Sequence, residues 1–282
     1  MEGGNRQIYR MKKILLILAI FSFCGLSIAE ENSPQQFLDF NLSGYGVGGT
    51  KTWDVKGQSA DVFENIVKLS NIVANVYGQD ETTLTAKQGT MEKTTGTMHL
   101  EKDVVATTKS GTRLTTDTLD WQRNNDLVTT NDKVTVEREN MTAVGTGAKA
   151  HPNLKQAQMV KDVTVKINAE ANKGGKTTIT CDGPLEIDYE KQLAVFNKNV
   201  KAVNEEQGTI YADKMMVYFD FKTKQLNKII CKGNVKIEKG ENTSFSDEAI
   251  YLAQEKKVTL IGRPKLVLFT EGDKINAPFG NK

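Results

Sequence analysis

From Trp53 onward the chain alternates apolar and polar residues with a period of two. Leu119-Asp120-Trp121, Val134-Thr135-Val136, Val163-Thr164-Val165, Leu185-Glu186-Ile187-Asp188-Tyr189 and Val235-Lys236-Ile237 carry the pattern, and Leu266-Val267-Leu268 closes it. Successive side chains of a strand point to opposite faces, so this alternation predicts strands with one face buried and one solvated. The abundance of Thr, Val, Ile and Tyr in these runs agrees. Turn signals separate them: Arg123-Asn124-Asn125-Asp126, His151-Pro152-Asn153, Lys173-Gly174-Gly175 and Glu238-Lys239-Gly240-Glu241-Asn242. Outside the N-terminus only Ser59 to Asn65 has any helical character, and it too reads as strand. The prediction is an all-β chain.

A degenerate repeat overlies the alternation. A polar or turn residue followed by an apolar one returns as Asn71-Ile72, Asp103-Val104, Lys133-Val134, Asp162-Val163, Asn199-Val200 and Asn234-Val235, with Arg263-Pro264 as a broken last copy. By subtraction the apolar members lie 32, 30, 29, 37 and 35 residues apart, with 29 more to Pro264. Between them sit Thr116-Asp117, Cys181-Asp182, Ala212-Asp213 and Ser246-Asp247. A period in this range indicates stacked supersecondary units rather than one closed core. Each repeat is expected to be a pair of strands forming one rung. Trp121, Tyr189, Phe219 and Tyr251 fall at or near equivalent rung positions and are expected to form an interior aromatic ladder. With two sheets pressed together they are core; with the sheets splayed they line a long apolar groove. The recurring aspartates suit a rung turn, where Asp bonds local backbone. Arg263-Pro264 either caps the stack or makes an ordinary turn, since proline removes a donor and belongs on an edge.

Charge and composition narrow the partners. The 282 residues hold 37 Lys+Arg against 35 Asp+Glu, a formal charge of +2. Four basic residues and one acidic residue precede Ala29, so the rest is close to neutral. No basic block is present, which excludes nucleic acid as an expected partner. Residues 1–29 read as an export signal: Lys12-Lys13, an apolar run from Ile14 to Phe23, and Ser27-Ile28-Ala29 as a small-x-small cleavage site. Met11 is an alternative start. The run is short for a membrane span of about 20 residues, and the segment is either cleaved or retained as an inner-membrane anchor. Phe23 before Cys24 argues against lipidation. Cys181 and Cys231 remain downstream, on different rungs; an exported compartment permits a disulfide, and two buried unpaired thiols fit equally.

The expected organisation is a linker over 30–42, a β unit over 43–168, a second over 177–270, and a flexible tail over 271–282. The polar stretch Lys166 to Lys176 with its paired glycines marks the internal boundary. Catalytic and cofactor motifs are missing. Two histidines, His99 and His151, are too few for a metal or triad site, and His99 lies on the solvent side of its strand. Gly145-Thr-Gly-Ala-Lys lacks the spacing of a phosphate loop. The aspartate series does not match a known calcium coil. No cofactor, metal or enzymatic activity is expected.

Certain stretches resemble a known family. Ile210-Tyr-Ala-Asp-Lys-Met-Met-Val-Tyr, Cys231-Lys-Gly-Asn-Val-Lys-Ile and Cys181-Asp-Gly-Pro-Leu-Glu-Ile-Asp-Tyr, followed by Ala194-Val-Phe-Asn-Lys-Asn-Val, resemble the OstA-like repeat of LptA, a periplasmic lipopolysaccharide transport protein. Trp53-Asp-Val-Lys-Gly-Gln-Ser-Ala, Thr95-Gly-Thr-Met-His-Leu-Glu-Lys-Asp-Val and Leu114-Thr-Thr-Asp-Thr-Leu-Asp-Trp resemble its inner-membrane partner LptC. The resemblance implies an LptC–LptA fusion folded as a stacked antiparallel β-jellyroll, or β-taco, with two β units in one elongated stack. It implies a groove that holds lipid A acyl chains, contacted here by Leu119, Trp121, Leu185, Ile187, Tyr189, Met215, Val217, Phe219 and Tyr251. It also implies a periplasmic bridge joined edge strand to edge strand, by self-assembly or with an inner-membrane ABC transporter complex and an outer-membrane translocon. The competing readings are a closed-core β-solenoid scaffold or adhesive protein, and a polysaccharide-degrading β-helix, which needs carboxylates clustered on one face.

Overall fold

The computed structural model describes residues 35–46, 48–78, 81–168, 175–220, 225–271 and 274–275. The expected signal segment and most of the expected tail lie outside these residues. Seventeen strands form one sheet. In chain order they are β1 (Gln35–Tyr45), β2 (Lys51–Val62), β3 (Ile66–Val76), β4 (Thr82–Glu92), β5 (Thr97–Thr108), β6 (Arg113–Gln122), β7 (Leu127–Arg138), β8 (Met141–His151) and β9 (Gln156–Ile167). They continue with β10 (Thr177–Cys181), β11 (Leu185–Asp188), β12 (Leu193–Asn204), β13 (Gly208–Phe219), β14 (Leu226–Lys239), β15 (Asn242–Leu252), β16 (Lys257–Ile261) and β17 (Lys265–Val267). Neighbours pair antiparallel in sequence order, so the sheet is a meander. β10 and β11 are two halves of one interrupted strand, both paired to β9 and β12. β16 and β17 divide the last strand in the same way, both on β15.

Pairing is interrupted near the middle of the long strands, for example between Glu101 and Val104, Asn197 and Val200, and Lys232 and Val235. The repeat explains why. Asn71, Asp103, Asp162, Asn199 and Asn234 all have φ between 47° and 56°. Asn and Asp tolerate this left-handed region better than other side chains. Each breaks its ladder as a bulge does and re-aims the strand. The apolar residue that follows is then driven inward: Val104 and Val134 are 0% exposed, Ile72, Val163 and Val200 1%, and Val235 2%. The dipeptide is therefore the crease of a folded strand. Each strand has two arms, and side chains of both arms share one core, as Met215 and Ile237 do.

Across the crease each large residue faces a small one: Ile72 with Ala86, Val104 with Thr116, Val134 with Gly145, Val163 with Cys181, Val200 with Ala212, Val235 with Ser246. Alternating bulk lets the two arms close at native density. Asp182, Asp213 and Asp247 belong to this line, in mid-strand and not at a rung turn. Asp182 accepts from the Asn199 amide at 2.5 Å and Asp213 from that of Asn234 at 2.8 Å. The bond is to a neighbouring side chain, where local backbone was expected.

One further expectation changes. Most of the stretch read as a linker is strand β1, paired to β2 over its length. It also holds another crease pair, Asp39 with φ 49° before buried Phe40, facing Gly57. Beyond Ile167 the sheet continues, with Ile167 paired to Thr177. The buried core falls into two clusters that meet between β6 and β7. There Thr116 and Thr130 are buried, their hydroxyls 3.2 Å apart, and pairing lapses between Thr115 and Asp120.

Candidate functional site: an apolar trough between two arms

The register defines the interior row by row. On one arm, residues facing each other across successive strands are Val62, Val67, Met91, Met98, Trp121, Val128, Ala150, Ala157, Ile187, Ala194, Val217, Ile229, Tyr251 and Val258. Every position in that row is apolar or aromatic. The opposite arm carries a matching row from Val55 through Leu84, Leu114, Val136, Val165 and Ile210 to Ile237, Ser244 and Leu266.

Burial grades with distance from the crease. The crease residues are sealed, whereas Trp53, Leu84, Trp121 and Val128, and farther along Ile187, Ile210, Val217 and Ile229, are only partly buried against the core. The interior is a V-shaped trough closed at its floor and accessible at part of its walls, since Val67, Met98 and Ala194 in one row and Val55, Val165 and Ile237 in the other stay buried. The walls carry no charge. Polar side chains stand on the outer face, among them His99, whose Nδ1 lies 2.7 Å from Asp120 Oδ1.

All nine residues expected to contact lipid lie on or beside the inner face of one arm. Leu119, Leu185 and Met215 are buried near the floor. Trp121, Ile187, Val217 and Tyr251 belong to the wall row, and Phe219 lies one step farther out. Tyr189 follows β11 at the rim, 44% exposed. The expected aromatic ladder does not form. Trp121 pairs with Met98 and Val128, and Tyr251 with Ile229 and Val258, so aliphatic residues separate the rings.

Sequence reading missed the second wall altogether. Its signal was present: the wall residue stands two positions after the crease residue on one strand, as Val136 and Ile237 do. On the next strand it stands two before the small partner, as Leu114 and Ile210 do.

Cys181 and Cys231 are buried and unpaired. Burial pushes the Cys231 thiol up to about 12 and raises that of Cys181, so both stay protonated and act as small hydrophobes. Among the described residues no group of His, Cys, Asp and Glu is arranged to hold a metal ion. Among them, too, no helix is long and apolar enough to cross a membrane. Ser244 in the second wall and Ser246 beside the crease are buried with unpartnered hydroxyls.

A sheet folded along a crease into an apolar trough places the chain among the stacked β-jellyroll proteins. Residues 16–169 match the model of the lipopolysaccharide-assembly, LptC-related family. The chain belongs to that family. Residues 178–278 match a second model, the LptA/(LptD N-terminal domain) LPS transport protein, so the whole is an LptC–LptA-like fusion. A solved structure is also similar: LptH, the LptA-homologous periplasmic component of the lipopolysaccharide transport device from Pseudomonas aeruginosa. It is 12% identical, with 67% of this chain and 95% of that one covered, at a TM-score of 0.21. No curated protein matches this chain.

Proposed function

We propose that the trough carries the acyl chains of a lipid A-containing glycolipid, without catalysis, as part of a periplasmic bridge from the inner to the outer membrane. The observation that supports this reading is the unbroken apolar wall row from Val62 to Val258, sealed below and accessible above. Each buried methylene of an acyl chain gains about 0.8 kcal/mol, so a continuous wall holds lipid with no reactive group. Because the row has no polar interruption, a chain can shift from strand to strand without a large barrier.

The two ends of the sheet suit assembly. At one end β1 is paired on one side only, to β2, and exposes Leu38 and Tyr45. At the other, β16 and β17 expose Ile261 and Leu266. Unpaired edges of this kind recruit a further strand, here from a second copy or from another transport component. Residues 1–29 would direct export, by cleavage or as a retained anchor.

A photo-reactive amino acid at Ile187 tests the trough in cells. The reading expects a lipopolysaccharide adduct from Ile187, Val217 and Tyr251, and none from Glu186 on the outer face. Absence of adducts at all three wall positions would favour a closed-core scaffold mediating protein contacts only. Partial exposure along the wall row argues against that second reading.

A further inference from the structure

We infer that the outer face of the last strands is a second, separate lipid-facing surface, built to lie on an anionic bilayer. One residue over from the trough wall, the register defines an outer row that also crosses the sheet. From Asp61 through Thr90, His99, Asp120 and Lys149 to Glu186 it is polar at every strand. At β12 it changes character and reads Val195, Met216, Ile230, Ile250, then Thr259. These side chains face outward, because the residues beside them, Ala194, Phe196, Met215, Cys231 and Ala249, are core. Nothing in the trough reading requires an apolar row on the solvent side.

Lysines frame this stripe. Toward the crease the adjoining row holds Lys214 and Lys232; toward the arm tips it holds Lys228 and Lys257. One carboxylate intervenes, Glu248, 3.8 Å from Lys232. Leu193 and Leu252 extend the apolar surface in the outer of these rows. Strands about 4.8 Å apart make the stripe about 14 Å long, and the flanking rows lie about 7 Å to either side. That area of roughly 200 Å² falls well short of the ~800 Å² per partner of a stable protein interface. A second copy is disfavoured by lysine facing lysine. An anionic lipid surface satisfies both features: apolar side chains enter the interface while lysine ammonium groups reach the headgroups. Near such a surface each lysine strengthens binding by about fivefold, so four together by several hundredfold.

The test places an environment-sensitive dye on the full chain at Thr259→Cys, at the end of the apolar stripe, and at Thr90→Cys, in the polar part of the same row. Cys24→Ser leaves only buried thiols as background. Vesicles of phosphatidylglycerol and phosphatidylethanolamine are expected to blue-shift the Thr259 dye and not the Thr90 dye, and phosphatidylcholine vesicles to shift neither. Single Lys257→Gln and Lys232→Gln changes are each expected to weaken the response about fivefold, with the melting temperature unchanged. Equal shifts at both dyes, no shift, or the same shift with phosphatidylcholine overturns the proposal. So does a Thr259 shift that appears only with an acidic protein partner. The readout is independent of the trough: loss of the Ile187 adduct leaves it standing, and its own failure leaves the trough reading untouched.

Discussion

A left-handed backbone position admits few side chains, and this chain uses one on strand after strand. Asn199 at φ 52° shows the constraint. Asn199→Val is expected to lose about 1–2 kcal/mol from backbone strain, with Asn199→Gly tolerated far better, read as melting temperatures. Beside the crease the limit is space. A Cβ on Gly89 would stand 2.6 Å from Ile72 Cδ1 and 2.9 Å from Leu100 Cδ2. Gly89→Ala is expected to cost about 1–3 kcal/mol by overpacking, again read by thermal melting. Asp54 gives a pH test. It is buried, and it accepts from Lys51 at 2.6 Å, Tyr77 at 2.6 Å and Asn75 at 2.8 Å. The Lys51 hydrogen bond first, then those of Tyr77 and Asn75, hold its carboxyl well below the usual range. A depressed folded-state value stabilises above the unfolded value near 4 and loses that stability as pH falls below it. Melting temperature is therefore expected to drop below about pH 4, and less steeply in Asp54→Asn.

At the scale of elements, the alternation identified the strands from β2 onward, and the repeat picked out the positions of the crease without showing that the strands fold there. Strand β1 escaped because Asp39 shifts its period: Phe37 and Phe40 straddle a left-handed residue, and Leu38 points outward at 69% exposure. The polar, glycine-bearing stretch from Lys166 to Lys176 falls between the two family matches, 16–169 and 178–278. A division of the buried core at Thr116 and Thr130 escaped, because these residues look ordinary in a strand. Thr130 also accepts from the Asp132 amide at 3.1 Å. Thr130→Val is therefore expected to cost about 1–2 kcal/mol, and Thr116→Val added to it to recover part of that loss, because no lone buried hydroxyl then remains. Amide hydrogen exchange is expected to be faster at residues 116–119 than at 200–203 in β12, where crease pairing resumes at Val200.

At the scale of the molecule, a folded meander leaves two free ends and one long interior. In a Cys24→Ser background under oxidising conditions, Leu38→Cys with Leu266→Cys is expected to give a disulfide-linked ladder of head-to-tail oligomers on a non-reducing gel. Either single change should stop at a dimer; a doubly substituted chain that stays monomeric would remove the case for edge-to-edge self-assembly. The sequence by itself determined the all-β class, the period of the repeat with its recurring dipeptide, and the wall residues Trp121, Ile187, Val217 and Tyr251. These follow from local rules: side-chain alternation along a strand and the tolerance of Asn and Asp for a left-handed backbone. Tertiary structure decided which rows face each other, that a second wall completes the trough, and that the outer row turns apolar at β12. Those properties depend on cross-strand register, which joins residues from about five to thirty positions apart, and a shift of one residue would exchange the inner and outer faces.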